Sequence, residues 1–376
     1  MNKKLLSCMG AWALTTTVFA GTPQRFVVKG QLANIGDTLI VLRSAQPKLL
    51  RDTILVKKGK FEYTANIDKP KSVYFFTPAT MRHQDHKRFT IVAVPGEEAQ
   101  LKGDINMRYD ITGSKFYQQY HQADLMMEAG QQKINALEKA CDDRLSKGES
   151  RDAVAKDYDA QMPALEKEYH ETVLNYIKAH PSEEASAAII PELEDLDLMK
   201  AGVAALDSSV RDGRMKCYYQ RFLDQAQKEK EEEVRAEKIQ ASGVEAKDFT
   251  LKDIDGKPFT LSSLRGKYVV IDFWGSWCYW CIKGMPEMRK YYAKYKDKLE
   301  IVGVDCQDTP EKWRAAVKKN GMTWKQVYCD KDSHLLEDYA ISGFPTKILV
   351  DPQGKIVKTV VGEDPAFYEL LDKTLE

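Results

Sequence analysis

The sequence has no net charge: 56 lysines and arginines stand against 56 aspartates and glutamates in 376 residues. So even a balance gives no electrostatic case for nucleic acid or an anionic membrane as the main partner, since both are held through a surplus of basic side chains. Long apolar runs are scarce as well. Only Leu5 to Phe19 is largely apolar, and no other segment approaches the roughly 20 residues that a membrane-spanning helix needs. Proline and glycine are in no excess, no internal repeat is visible, and the composition is that of an ordinary globular chain with room for two or three domains. A second C-x-x-C is missing: beside Cys278 and Cys281, Cys306 and Cys329 stand alone, so the usual ligand set of a structural zinc site is not available. The run His83, Gln84, Asp85, His86 has metal-like residue types but no clear third ligand, and reads as a solvated loop. No metal is expected.

Among the features present, the N-terminus reads as a signal peptide over residues 1–20. Lys3 and Lys4 form a basic start, an apolar stretch follows, and Val18, Phe19 and Ala20 end on a small residue before Gly21. A lipid anchor on Cys8 is disfavoured because the apolar stretch continues well past it. Export would place the other cysteines, Cys141, Cys217, Cys278, Cys281, Cys306 and Cys329, where disulfides persist. Their pairing stays open: Cys141 with Cys217 as a structural bridge, and Cys306 with Cys329 as an accessory disulfide, a second redox pair or two inert thiols.

The fold class expected is multidomain. Residues 24–113 read as an all-β, sandwich-like domain, with short β-rich runs such as Thr38 to Leu42 and Ser72 to Phe76. Turn signals at Gly36-Asp37, Lys58-Gly59, Lys69-Pro70 and Pro95-Gly96 separate these runs. Residues 114–240 read as an α-helical middle region, where Leu165, Tyr169, Val173, Tyr176 and Ile177 recur at helical spacing. Its last part, Lys228 to Lys238, is almost entirely charged and reads as a solvated helix leading into a linker. From 247 to 376 strands and helices alternate, which points to an α/β domain with a mixed sheet.

Cys278 and Cys281 fall where the apolar run Tyr268 to Trp274 hands over to a helical stretch. A cysteine at a helix N-terminus meets free N–H groups and the positive end of the dipole, both of which favour its thiolate. The thiolate is the nucleophile of disulfide exchange, and a second cysteine one turn on can resolve the mixed disulfide.

With Val270, Ile271, Asp272, Phe273 and Trp274 before the motif, Pro286 inside the helix and Gly343, Phe344, Pro345 and Thr346 later, residues 247–376 resemble the thioredoxin superfamily. The hairpin from Phe249 to Phe259 and the run Leu264 to Lys267 resemble its TlpA/ResA-type periplasmic branch. That resemblance implies a periplasmic thiol–disulfide oxidoreductase with no cofactor beyond the redox-active disulfide Cys278–Cys281. Cys278 would attack, Cys281 would resolve, Asp272 would take the proton that Cys281 loses, and Pro345 would be cis beside a substrate strand. Trp277, Tyr279, Trp280 and Phe344 would contact substrate, and Trp274 and Trp277 would pack around the site. Many members of the branch carry an acid three positions after the second cysteine, where this chain has Gly284, leaving Asp272 as the main base and Glu287 as a weaker candidate.

The β segment resembles a domain of unknown function that precedes TlpA-like modules. The resemblance rests on Phe26 to Gly30, Lys58 to Phe61, Pro95 to Glu97 and Thr112 to Ser114, and implies a docking or spacing role. The implied partners are thiols or disulfides of exported proteins and a membrane thiol electron donor. Tyr279 and Trp280 put no histidine between the cysteines, which favours a reductase. An oxidase, an isomerase and a scaffold with a mainly structural thioredoxin module stay open, and the oligomeric state is not indicated.

Overall fold

The computed structural model describes residues 22–45 and 48–376, so the expected signal peptide over 1–20 lies outside the described residues. The chain divides into two compact units, Met1–Gln227 and Lys228–Glu376.

In the first unit eight strands come first: β1 (Gln24–Ala33), β2 (Thr38–Ala45), β3 (Lys48–Leu55), β4 (Lys60–Ile67), β5 (Lys71–Phe76), β6 (Arg88–Ala93), β7 (Glu98–Asp104) and β8 (Tyr109–Gly113). They form two four-stranded sheets, ordered β4-β1-β7-β8 and β3-β2-β5-β6. The period of a strand is plain in β4, where Phe61, Tyr63, Ala65 and Ile67 are buried and the residues between them exposed. Phe61 from one sheet meets Phe75 and Phe89 from the other at centroid distances of 6.4 and 5.9 Å, which makes the pair of sheets a sandwich.

Helices α1 (Lys115–Ser146), α2 (Arg151–Ala179), α3 (Glu184–Ala188), α4 (Leu196–Ala205), α5 (Ser208–Arg211) and α6 (Lys216–Ile239) follow, the last of them crossing the division at Gln227. Ser150 caps α2 by accepting from the Ala153 N–H at 3.2 Å. Tyr169, Val173 and Ile177 form the buried stripe of α2, with Leu165 and Tyr176 packed at its margin. The Tyr117 hydroxyl ties α1 to the sandwich by donating to the Val92 carbonyl at 2.7 Å. The charged run lies on α6, where Lys228 pairs with Glu232 at 3.7 Å and Lys230 with Glu233 at 2.7 Å.

The second unit contains β9 (Thr250–Asp253), β10 (Pro258–Thr260), β11 (Tyr268–Trp274), α7 (Tyr279–Tyr295), β12 (Leu299–Cys306), α8 (Pro310–Lys319), β13 (Lys325–Cys329), α9 (Leu335–Asp338), β14 (Thr346–Val350), β15 (Ile356–Val361) and α10 (Pro365–Leu375). Its seven strands form one mixed sheet in the order β10-β9-β13-β12-β11-β14-β15. β11 runs parallel to β12 and antiparallel to β14, and apolar layers cover both its faces. Val270 and Trp274 pack with Met285 and Met288 of α7 and Phe367 and Leu371 of α10. Val269, Ile271 and Phe273 pack on the other face with Phe259 and Tyr339. Asp272 therefore shares the face that carries α7. α9 is a single turn, Leu335–Asp338, and Ala340 beyond it takes a positive φ of 49° that no helix continues. Among the described residues no helix is long and apolar enough to cross a membrane.

Candidate active site

β11 ends at Trp274 and α7 starts at Tyr279, so the segment between them decides what the helix N-terminus presents. Gly275 makes the turn possible: a Cβ there would lie 2.4 Å from Nε1 of Trp277. The indole folds over that bare backbone and donates to the carbonyl of Cys306 at 3.1 Å. Ser276 donates through its N–H and its hydroxyl to the Asp308 carboxylate, at 2.6 and 2.8 Å. The loop is thereby fastened to the end of β12 and the segment that follows it.

Cys278 is the N-cap of α7, with extended backbone at φ −85° and ψ 107°, and its sulfur accepts from the Cys281 N–H at 3.1 Å. It is bonded to Cys281, with an S–S distance of 2.09 Å and Cα atoms 5.3 Å apart. Both cysteines are buried. Around them the surface is unusually aromatic: Trp277, Tyr279 and Trp280 are 50, 65 and 47% exposed. Trp277 meets Phe344 edge-on at 5.3 Å, and Tyr279 meets Trp280 in the same manner at 5.4 Å. The Phe344–Pro345 peptide bond is cis. Pro345 is buried, and its carbonyl accepts from the Gly362 N–H at 2.7 Å.

Behind the disulfide, Asp272 is 1% exposed and its Oδ1 has no hydrogen-bond partner among the described residues. Burial pushes its pKa up to about 6; Lys347 pulls it down and Glu363 pushes it further up. Lys347 is the register partner of Asp272 across β11 and β14. Its ammonium, with a side chain only 3% exposed, donates to Glu363 at 2.6 Å. Lys347 and Glu363 were not singled out from the sequence. Lys347 carried a signal, a lone charge in the run Thr346 to Val350 that is otherwise built for burial.

The structure thus gathers Cys278, Cys281, Trp277, Tyr279, Trp280 and Phe344 on and around the N-terminus of α7. It sets Asp272 on the β11 face that α7 covers. Glu287, the weaker acid candidate, points away: it is 41% exposed and pairs with Lys290 at 2.7 Å. Among the described residues the other cysteines are free thiols, Cys141, Cys306 and Cys329 buried and Cys217 exposed. Cys306 and Cys329 are register partners on β12 and β13, and the neighbouring Cys329 sulfur together with burial pushes the Cys306 thiol up. Iodoacetamide applied to the folded protein is expected to label Cys217 and spare Cys306 and Cys329, with all of them labelling after denaturation without reductant. Mass spectrometry reads this directly, and failure of Cys306 and Cys329 to label in denaturant would mean that they are bridged in solution. Among the described residues no group of three or more His, Cys, Asp or Glu side chains is placed to hold a metal, and Asp85 is occupied by the Thr77 hydroxyl at 3.0 Å.

Residues 242–359 match the AhpC/TSA family, and residues 26–120 match the domain of unknown function DUF4369. The thiol-disulfide oxidoreductase ResA of Bacillus anthracis is 38% identical over 100 residues, which are 26% of this chain and 57% of that protein. ResA of Bacillus subtilis (strain 168) is 37% identical over 99 residues, 26% of this chain and 55% of that protein. The chain thus spans a little over half the length of these relatives. Among solved structures, the thioredoxin domain of a thiol-disulfide oxidoreductase from Bacteroides vulgatus is 38% identical; the match covers 36% of this chain and 99% of that one, with a TM-score of 0.35.

Proposed function

We propose that this chain, a TlpA/ResA-like protein of the thioredoxin superfamily with a DUF4369 domain at its N-terminal end, reduces or exchanges disulfides in exported proteins through Cys278 and Cys281. The observation that carries the reading is one arrangement: a cysteine pair bonded at the N-terminus of α7, flanked by exposed aromatic side chains, with the Asp272 carboxylate buried on the β11 face that α7 covers.

In the reduced protein the Cys278 thiolate attacks one sulfur of a substrate disulfide. A Cys278–substrate bond forms, and the first substrate sulfur leaves as a thiolate. Cys281 then gives its proton to Asp272 and attacks Cys278, releasing the second substrate thiolate and forming Cys278–Cys281. The substrate gains two electrons and the protein loses two, which a thiol donor at the membrane returns. Trp277, Tyr279, Trp280 and Phe344 supply an apolar rim for an extended substrate segment beside Pro345, and their rings keep water from the exchanging sulfurs. The cell envelope is the compartment in which such chemistry has substrates.

The residues between the cysteines, Tyr279 and Trp280, add no positive charge to the Cys278 thiolate. An equilibrium redox titration of Cys278–Cys281, read by alkylation and mass spectrometry, is expected to give a midpoint near about −270 mV or lower. A midpoint near about −120 mV would identify an oxidant instead, and the absence of any two-electron transition would leave a scaffold with a structural thioredoxin module.

A further inference from the structure

α7 has a notch one turn beyond Cys281. Gly284 is buried there, and a Cβ built on it would lie 2.3 Å from Oε2 and 2.6 Å from Oε1 of Glu363. The carboxylate of Glu363, on the turn between β15 and α10, therefore lies directly against the bare helix backbone. Any side chain at 284 would displace it. Both oxygens of Glu363 are engaged: Oε2 accepts from the Lys347 ammonium at 2.6 Å and Oε1 from the Tyr368 hydroxyl at 2.7 Å. Lys347 in turn stands opposite Asp272 across the β11–β14 pair. Three charges from three elements thus share one buried space, two negative and one positive, and a single ammonium cannot neutralise both carboxylates.

We infer that Glu363, seated in the notch left by Gly284, is a positioning residue for proton uptake by Asp272. It draws the Lys347 ammonium to itself and holds a second negative charge beside the buried carboxylate. This rests on the proposed exchange reaction, in which Asp272 accepts the proton of Cys281. The acid that the helix lacks at position 284 is supplied in space from the turn between β15 and α10. Without Glu363, Lys347 is left to Asp272 alone and the repulsion is gone. Both changes make Asp272 a weaker base, so they add rather than cancel.

The charged and titratable groups that bear on Asp272 are Lys347 on β14, Glu363 after β15, Tyr368 on α10 and Cys306 on β12, and the proposed reaction adds Cys281 on α7 once the disulfide is reduced. In the oxidised protein Cys281 does not titrate, which leaves the Asp272 carboxyl readable by itself. The experiment is a pH titration of the full, oxidised protein by carbon-13 NMR of its carboxyl groups, with Asp272→Asn assigning the signal. The wild-type signal is expected to titrate near pH 6, as burial dictates. Glu363→Gln is expected to move that titration down by about one unit.

Gly284→Ala provides a second route to the same end. Alanine is the better helix former, but its Cβ must push the Glu363 carboxylate out of the notch, so it too is expected to lower the Asp272 titration. The double variant is expected to shift it no further than Glu363→Gln alone, because both act through one carboxylate. A merely structural Glu363 would lower the melting temperature and leave the Asp272 titration in place. An unmoved titration in Glu363→Gln overturns the inference. The titration needs no turnover, so this result is distinct from failure of the exchange reaction, which shows instead as loss of Cys278-dependent activity in the wild-type protein.

Discussion

Cys278→Ser is expected to bring dithiol-driven insulin reduction down to the uncatalysed background, a loss on the order of 10³-fold or more. The attacking species is a sulfur anion, and the free N–H groups at the start of α7 favour it. The same field cannot ionise an alcohol near neutral pH, so serine leaves no nucleophile. The fold is expected to survive. Cys278 is the N-cap of α7 and accepts from the Cys281 N–H at 3.1 Å, a task that a serine hydroxyl performs as well or better. The variant also lacks the Cys278–Cys281 bond, so its reference is the reduced wild-type protein: lost activity with the same melting temperature as that form reports chemistry rather than folding. The partner substitution Cys281→Ser keeps the attacking sulfur and removes the resolving one, so a mixed disulfide with substrate is expected to accumulate on non-reducing gels. Turnover retained in Cys278→Ser would remove the mechanism, and no trapped adduct in Cys281→Ser would reassign the second sulfur.

The second large effect is expected from Asp272→Asn, which should make the protein more stable and slower at once. Asp272 is 1% exposed and its pKa is raised from 3.8 to about 6, chiefly by burial. The folded state thus binds the proton more tightly than the unfolded chain does. The stability this confers is complete below about pH 4 and is lost as pH rises through about 6, where the buried carboxylate must ionise. At about pH 8 the wild-type protein carries the whole penalty, of order 3 kcal/mol for a shift of about two units. Asparagine never ionises, so its advantage in denaturant unfolding is expected to be of that order at about pH 8 and to vanish near about pH 4.

The cost falls on catalysis. Release of substrate from the mixed disulfide needs Asp272 ionised, so the wild-type rate is expected to rise as pH passes about 6. Asp272→Asn should flatten that rise and slow the step roughly 100-fold, a usual loss for a general base. A variant that is more stable but releases substrate at the wild-type rate would show that Asp272 burdens the fold without serving the reaction.

Much of the second unit was legible in the sequence because its elements are strongly patterned. The run Tyr268 to Trp274 is apolar enough to be a strand covered on both faces, and Cys278 stands where a strand yields to a helix. Thr309-Pro310 and Asp364-Pro365 are helix-start signals of the local kind, and both side chains cap, with Asp364 accepting from the Ala366 N–H at 2.8 Å. Local chemistry of this kind depends on neighbours a few residues away, and the chain order displays it. The β region was legible as a class, yet β3, β6, β7 and β8 were not among the runs that stood out; Lys48, Arg51 and Asp52 in β3 and Glu98, Lys102 and Asp104 in β7 interrupt the apolar pattern.

The chemistry is written in the order of residues: two cysteines three residues apart at a helix start, a carboxylate within an apolar strand and a proline loop to come. How that carboxylate is electrostatically set depends on the folded chain. Asp272, Lys347 and Glu363 lie far apart in the chain, and Lys347 meets Asp272 only because β14 pairs antiparallel with β11 in one register. Gly284 reads in the sequence as an acid gone missing. In three dimensions it is the space that Glu363 fills. Charges act through distance in space, and a strand register or a helix notch sets that distance where the order of residues along the chain cannot.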